Sequence, residues 1–193
     1  MKIAIVGGGI SGLSTYLNLQ KHVVASTGLK ESLQITVFER HELEHGSNET
    51  NRHIPTSGGG YGLAPNGMAS LRRLDPAVHE EIVRNGFPSP KTVMKSARGW
   101  TLGSIPFLDT RGEHPECCVM VLRQLVLDAL LRHIPAGAVV YRKVVDVEDG
   151  EESAYVKFAD GEREVFDLVI GADGVWSKCR RAIHGDTYGA EYK

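Results

Sequence analysis

An α/β fold built on a parallel sheet is predicted by three features of the chain. Residues 2–6 (Lys-Ile-Ala-Ile-Val) are a short β-branched run, glycines crowd residues 7–12, and a second β-branched run, 33–38 (Leu-Gln-Ile-Thr-Val-Phe), ends at Glu39. Short apolar runs of this kind form buried parallel strands. Between them Ile10, Leu13, Leu17 and Gln20 recur at helical intervals. Strand, glycine turn, helix, strand is a βαβ unit, whose crossover is right-handed.

The following elements are read in order. Residues 40–60 are polar and aperiodic, and Pro65 stands where the first helical position belongs, ahead of Met68, Leu71 and Leu74. Residues 91–109 read as strand interrupted by Gly99 and Gly103, hence a hairpin. Leu122, Leu125, Val126, Ala129 and Leu130 share one face of a helix expected over about 119–133. Strands are expected at 139–147 and 154–158. Asp160-Gly161 then turns the chain into a further strand over 163–170.

Composition bounds the function. The 193 residues are 41% hydrophobic and 24% charged, which suits a globular chain and is too apolar for a disordered one. The net charge of -2 offers no basic field to gather nucleic acid or an anionic membrane. No stretch approaches the ~18 apolar residues of a membrane span. Three cysteines without a C-x-x-C pattern exclude a disulfide framework and a zinc ribbon. A reduced, cytoplasmic protein is the expectation.

Two motifs carry chemistry. Gly7-x-Gly9-x-x-Gly12 follows the first strand and opens the helix. Its first glycine makes the tight turn, its second admits a pyrophosphate close to the backbone, and its third lets helix and strand touch. Glu39, at the end of the second strand, is placed to accept ribose hydroxyls, so dinucleotide binding is expected. Gly12 and Glu39 are 27 residues apart (39 − 12) against about 20 in the usual pattern, which implies a longer connection near 22–33. Tyr16 is bulkier than the small residue expected one turn after Gly12. The second motif is Gly171-Ala-Asp173-Gly174-Val-Trp-Ser177-Lys-Cys-Arg180, delivered by an apolar strand and leading into a helix. Asp173 at that edge could hold a ribose or ribityl hydroxyl, with Gly174 leaving room for the backbone. A capped turn with Ser177 as N-cap is the plainer alternative.

Taken together, Gly7/Gly9/Gly12, Glu39-Arg40, Arg123-Gln-Leu-Val and Asp173-Gly-x-x-Ser177-x-x-Arg180 occur in the order found in the FAD-dependent aromatic hydroxylases of the para-hydroxybenzoate hydroxylase type. The chain resembles the N-terminal half of that family from residue 2 to about 189, including a Pro65-Asn66 segment that opens a helix. The resemblance implies a Rossmann-like FAD-binding domain with an inserted antiparallel β excursion. The expected division is residues 1–74 and 117–183 for FAD binding, 75–116 for the start of the substrate-side excursion, and 184–193 for entry to a substrate domain. It further implies an oxidoreductase, a monooxygenase using NAD(P)H and O₂ on an aromatic or similar small substrate, with FAD as cofactor. The cofactor contacts it implies are Gly7, Gly9, Ile10, Ser11, Gly12, Glu39, Arg40, Arg123, Asp173 and Gly174, Arg123 beside the FAD phosphates. No catalytic acid or base is assigned, because the cofactor performs the chemistry. The family's later Gly-Asp-Ala-x-His motif does not occur before Lys193, so a truncated FAD-binding module with little turnover is the alternative.

One rival remains. His41-Glu42-Leu43-Glu44-His45 satisfies H-E-x-x-H, the pattern of a zinc hydrolase. Its polar flanks do not support an amphipathic helix and no third ligand is evident, so a solvated loop is expected there. His184-Gly185-Asp186 is likewise read as loop.

Overall fold

The structure, a computed structural model, describes residues 1–24, 33–41, 59–111 and 113–185. In chain order the elements are β1 (Lys2–Val6), α1 (Ile10–Leu19), a π turn (Gln20–Val24), β2 (Gln34–Glu39), β3 (Gly60–Leu63), α2 (Pro65–Leu74), α3 (Pro76–Asn85), β4 (Phe87–Ser89), β5 (Lys91–Lys95), β6 (Thr101–Pro106), β7 (Leu108–Asp109), β8 (Glu116–Leu122), α4 (Arg123–Leu131), β9 (Val139–Tyr141), β10 (Val144–Asp149), β11 (Ala154–Phe158), β12 (Arg163–Phe166), β13 (Leu168–Gly171) and α5 (Lys178–His184). They fall into two compact units, residues 1–47 with 131–193, and residues 48–130.

The first unit holds the expected parallel sheet, in the order β13-β1-β2-β9, with β1 paired in parallel to β2 on one side and to β13 on the other. Burial on both faces explains the unbroken apolar run of β1, whose Ile3, Ala4, Ile5 and Val6 are all buried. A three-stranded antiparallel sheet, β10-β11-β12, packs its Val156, Phe158 and Phe166 on Ala4 and Phe38 of the parallel sheet. Phe38 meets the rings of Phe158 and Phe166 edge-on at 4.9 and 5.7 Å.

The second unit carries an antiparallel sheet, β3-β8-β4, with β7 added to β8, the helices α2 and α3, and a separate β5–β6 hairpin. Pro65 occupies the first turn of α2, as expected, and the hairpin turns at Gly99 with φ +84°. Gly103 lies inside β6, where the pairing with β5 shifts register between Met94–Gly103 and Lys95–Thr101.

Four readings of the sequence are corrected. The helix expected over 119–133 begins only at Arg123, because residues 116–122 form β8. The strand expected over 139–147 is two strands, β9 in the parallel sheet and β10 in the antiparallel one. The strand expected over 163–170 is also two. Asp167 ends β12 by donating its N–H to Lys2 O (3.0 Å) and accepting the Lys2 N–H on its carboxylate (2.5 Å), and β13 continues beside β1. Residues 75–116 are not wholly β, since they open with α3, where Pro76 sits in the first turn and the Asp75 side chain accepts the Ala77 N–H at 2.8 Å.

Candidate FAD site

The site grows from the carboxyl end of β1. Beyond Val6 the backbone bends at Gly7, φ +107°, whose N–H donates to Phe38 O (2.8 Å), while the Ala172 N–H donates to Val6 O (2.8 Å). The ends of three neighbouring strands are thereby stitched into one edge, where open α/β sheets bind ligands. A Cβ on Gly7 would lie 2.4 Å from Ala172 O, and one on Gly12 would lie 1.9 Å from Gly7 O. The two sequence motifs are in direct contact, and glycine is what permits it.

Gly9 is the N-cap of α1. No side chain caps this helix and no acid stands in its first turn, which contains Ile10, Ser11 and Gly12. Uncapped helix N–H groups and the positive end of the dipole favour a phosphate here. Tyr16, the bulky departure, is accommodated by burial at 3% exposure, and its hydroxyl accepts from Gln20 Nε2 at 3.3 Å.

Glu39 ends β2 beside this loop. Its Oε2 accepts the Gly8 N–H at 2.7 Å, and its Oε1 accepts the N–H groups of Arg40 (2.8 Å) and His41 (3.1 Å). Arg40 itself is exposed. Gly8 was not among the residues singled out from sequence. A Cβ there would sit 2.8 Å from Glu39 Cβ. The run Gly7-Gly8-Gly9 was the available signal.

Asp173 follows β13. Its carboxylate takes the Ser177 hydroxyl (2.6 Å), the Lys178 N–H (2.5 Å) and the Cys179 N–H (3.4 Å), and Ser177 Oγ accepts the Arg180 N–H at 2.9 Å. The capped-turn alternative is therefore realised: Asp173 and Ser177 together close the N-terminus of α5. Arg180 locks the turn from the other side by donating to the carbonyls of Val175 (3.2 Å) and Gly174 (3.4 Å), and Gly174 adopts φ +77°. Cys179 is buried beneath, and burial first, then the charge of Asp173, pushes its thiol up to about 12. His184, expected in a loop, is the last residue of α5.

Arg123 belongs to the second unit, where it opens α4 and donates its N–H to Gly59 O at 3.3 Å. The Tyr61 hydroxyl of that unit is buried without a hydrogen-bond partner among the described residues. Burial raises its pKa, and the charge of Arg123 partly offsets the rise. Of the H-E-x-x-H stretch, residues 42–45 lie outside the described residues. Among the described residues no group of His, Cys, Asp and Glu gathers as a metal cluster. No helix among them is long and apolar enough to cross a membrane.

No family model matches the chain. Sequence relatives do. A dual trans-enoyl reductase/FAD-dependent monooxygenase of Aspergillus terreus is 30% identical over 199 residues, 96% of this chain and 24% of the relative. An FAD-dependent monooxygenase of Monascus ruber is 30% identical over 207 residues, 100% of this chain and 41% of the relative. Its sequence relatives and structural neighbours are FAD-dependent monooxygenases of the para-hydroxybenzoate and salicylate hydroxylase type. It matches only the N-terminal part of these monooxygenases and spans less than half the length of the two relatives named. The fold agrees: a variant of HpxO from Klebsiella pneumoniae, complexed with FAD, superposes with a TM-score of 0.69 at 22% identity, over 94% of this chain and 42% of that one. The chain thus has the fold of part of an FAD-binding monooxygenase domain.

Proposed function

We propose that this chain binds FAD at the β1 edge and serves a monooxygenase that draws electrons from NAD(P)H and uses O₂ on an aromatic or similarly electron-rich small molecule. The observation that carries the reading is the joining of both glycine motifs at one strand edge, with Glu39 closing the third side. When bound, FAD supplies the redox and oxygen chemistry.

The chain's own residues bind and orient. The first turn of α1, at Ile10, Ser11 and Gly12, offers N–H groups to the pyrophosphate, and Gly7 and Gly9 let it approach the backbone. Glu39 accepts ribose hydroxyls with the acceptor positions its backbone partners leave. Arg40 stands next to it as an exposed cation. Asp173 and Gly174 act through the turn they build, which sets Ala172 against Gly7. The part of Arg123 beside the phosphates rests on the family resemblance and is tested by Arg123→Ala, which is expected to weaken FAD binding without unfolding the protein.

The visible spectrum of the purified chain after adding FAD and desalting tests the reading. Retained flavin bands are expected, followed by flavin-dependent oxidation of NAD(P)H. A colourless protein contradicts FAD binding by this chain.

A further inference from the structure

We propose that the β5–β6 hairpin of the second unit is a docking surface for a lipid bilayer that carries anionic headgroups. The inference stands apart from the FAD reading, since it uses no residue of the β1 edge.

The hairpin comes from an uneven stretch of sequence. No Asp or Glu occurs between Glu81 and Asp109, whereas Arg84, Lys91, Lys95 and Arg98 do. The net charge of -2 averages this local excess away. Lys91, Lys95 and Arg98 are exposed and form no ion pair among the described residues. Among the described strands β5 and β6 pair only with each other, and a two-stranded ribbon is marginal in water unless a face of it is covered. Here the apolar side chains are uncovered: Val93, Met94 and Ile105 are exposed, and Leu102 is 71% exposed. Val93 stands opposite Ser104 and Met94 opposite Gly103, so the apolar residues of β5 fall on both faces of the ribbon. Two apolar faces suit immersion in a soft layer better than the one-sided seat a helix or sheet would offer. The tip is firmly tied. Trp100 donates its N–H to Ser96 Oγ (3.1 Å) and accepts the Ser96 N–H on its carbonyl (2.8 Å), while the Gly99 N–H donates to Ser96 O (2.9 Å). The indole held by this turn is nonetheless 75% exposed. An indole sits well at the headgroup level, aliphatic side chains reach the acyl boundary, and lysine and arginine meet the phosphates. Each such cation strengthens partitioning onto an anionic surface roughly fivefold, an effect that salt screens. A nucleic acid strand would use the cations and the indole but leave the aliphatic side chains in water.

The test is co-sedimentation of the chain with vesicles of phosphatidylcholine alone, or of equal parts phosphatidylcholine and phosphatidylserine. Trp176→Phe leaves Trp100 as the sole tryptophan, so that its emission reports on the hairpin. Binding to the anionic vesicles is expected to be about tenfold or more tighter than to the neutral ones, and to weaken as salt is raised. Trp100 emission is expected to shift to the blue on the anionic vesicles. Lys91→Gln, Lys95→Gln and Arg98→Gln combined are expected to lower anionic binding by about tenfold or more, with the far-UV circular dichroism unchanged. If that variant does not fold, the salt dependence and the Trp100 shift decide, since both are read with the hairpin intact. Equal binding to the two vesicle types, an anionic preference kept by the folded triple variant, or co-sedimentation without a Trp100 shift overturns the inference. So does a chain that ignores vesicles and instead self-associates through the hairpin or binds a single-stranded oligonucleotide.

Discussion

The Ala172 carbonyl oxygen lies 2.4 Å from the point a Cβ on Gly7 would occupy, so the end of β13 rests directly on the turn that opens the nucleotide loop. Residues 165 positions apart in sequence (172 − 7) thus share one contact that tolerates no side chain. Gly7→Ala adds a clash to a φ of +107° and is expected to destabilise the chain by about 2 kcal/mol or more. Urea unfolding checks it. Gly137→Ala is the comparison, since its φ of +84° gives the backbone strain while a Cβ there meets nothing.

Asp173→Ala removes the acceptor for two α5 N–H groups and the Ser177 hydroxyl. A loss of about 1–2 kcal/mol is expected, as for other helix caps. Because the carboxylate is engaged with its own turn, the FAD affinity of Asp173→Asn, which keeps an acceptor oxygen, is expected to stay closer to wild type than that of Asp173→Ala. Equilibrium unfolding and FAD titration of both variants separate capping from direct contact: equal loss of FAD affinity at equal stability would assign Asp173 to the ligand.

In the second unit Glu116 is 6% exposed and holds Arg72 Nε at 2.6 Å and His79 Nε2 at 3.0 Å, joining β8 to α2 and α3. Burial pushes its carboxyl up, yet hydrogen bonds from Arg72 and then His79 outweigh it and leave the pKa below the ordinary 4.5. A lowered folded pKa means the stabilisation is complete above the unfolded value and lost as pH falls through the folded one. Stability is therefore expected to drop on acidification below about pH 4.5. Glu116→Ala is expected to cost about 3 kcal/mol at neutral pH, since it strands a buried imidazole and an arginine, and to flatten the acid limb. Denaturant unfolding across pH 3–7 measures both.

The three free cysteines are expected to react in the order of their surroundings. Cys179 is buried with its thiol near 12, Cys118 is buried with its thiol raised by burial and by Cys117, and Cys117 is half-exposed. Only the thiolate attacks an alkylating reagent. Peptide mass analysis after iodoacetamide treatment of the folded protein is expected to find Cys117 modified first and Cys179 last.

Much of this was legible where the signal is local. β1, the α1 spacing, Pro65 at the start of α2, the Asp160-Gly161 hairpin and the Ser177 cap are written within a few neighbouring residues. The partner a strand chooses is not. Residues 163–170 read as one strand, but Phe166 ends an antiparallel pairing with β11 and Leu168 begins a parallel one with β1. At 119–122 the residues fit a strand and a helix face equally well, and pairing with β3 decided for the strand. The start of α3 was legible in Asp75-Pro76 and in the spacing of Val78 and Ile82, and was absorbed into an expected β region. Gly8 was hidden by its neighbours, because its reason for being glycine is the Glu39 side chain, 31 residues away.

The central claim is that Glu39 and the glycine loop form the FAD site, and FAD titration of wild type beside Glu39→Ala, read by flavin absorbance, tests it most directly. The account predicts saturable binding by the wild type, weakened in Glu39→Ala by about 1–3 kcal/mol for an unmet charged hydrogen bond. Equal affinity in the two proteins would place the ribose elsewhere and contradict it.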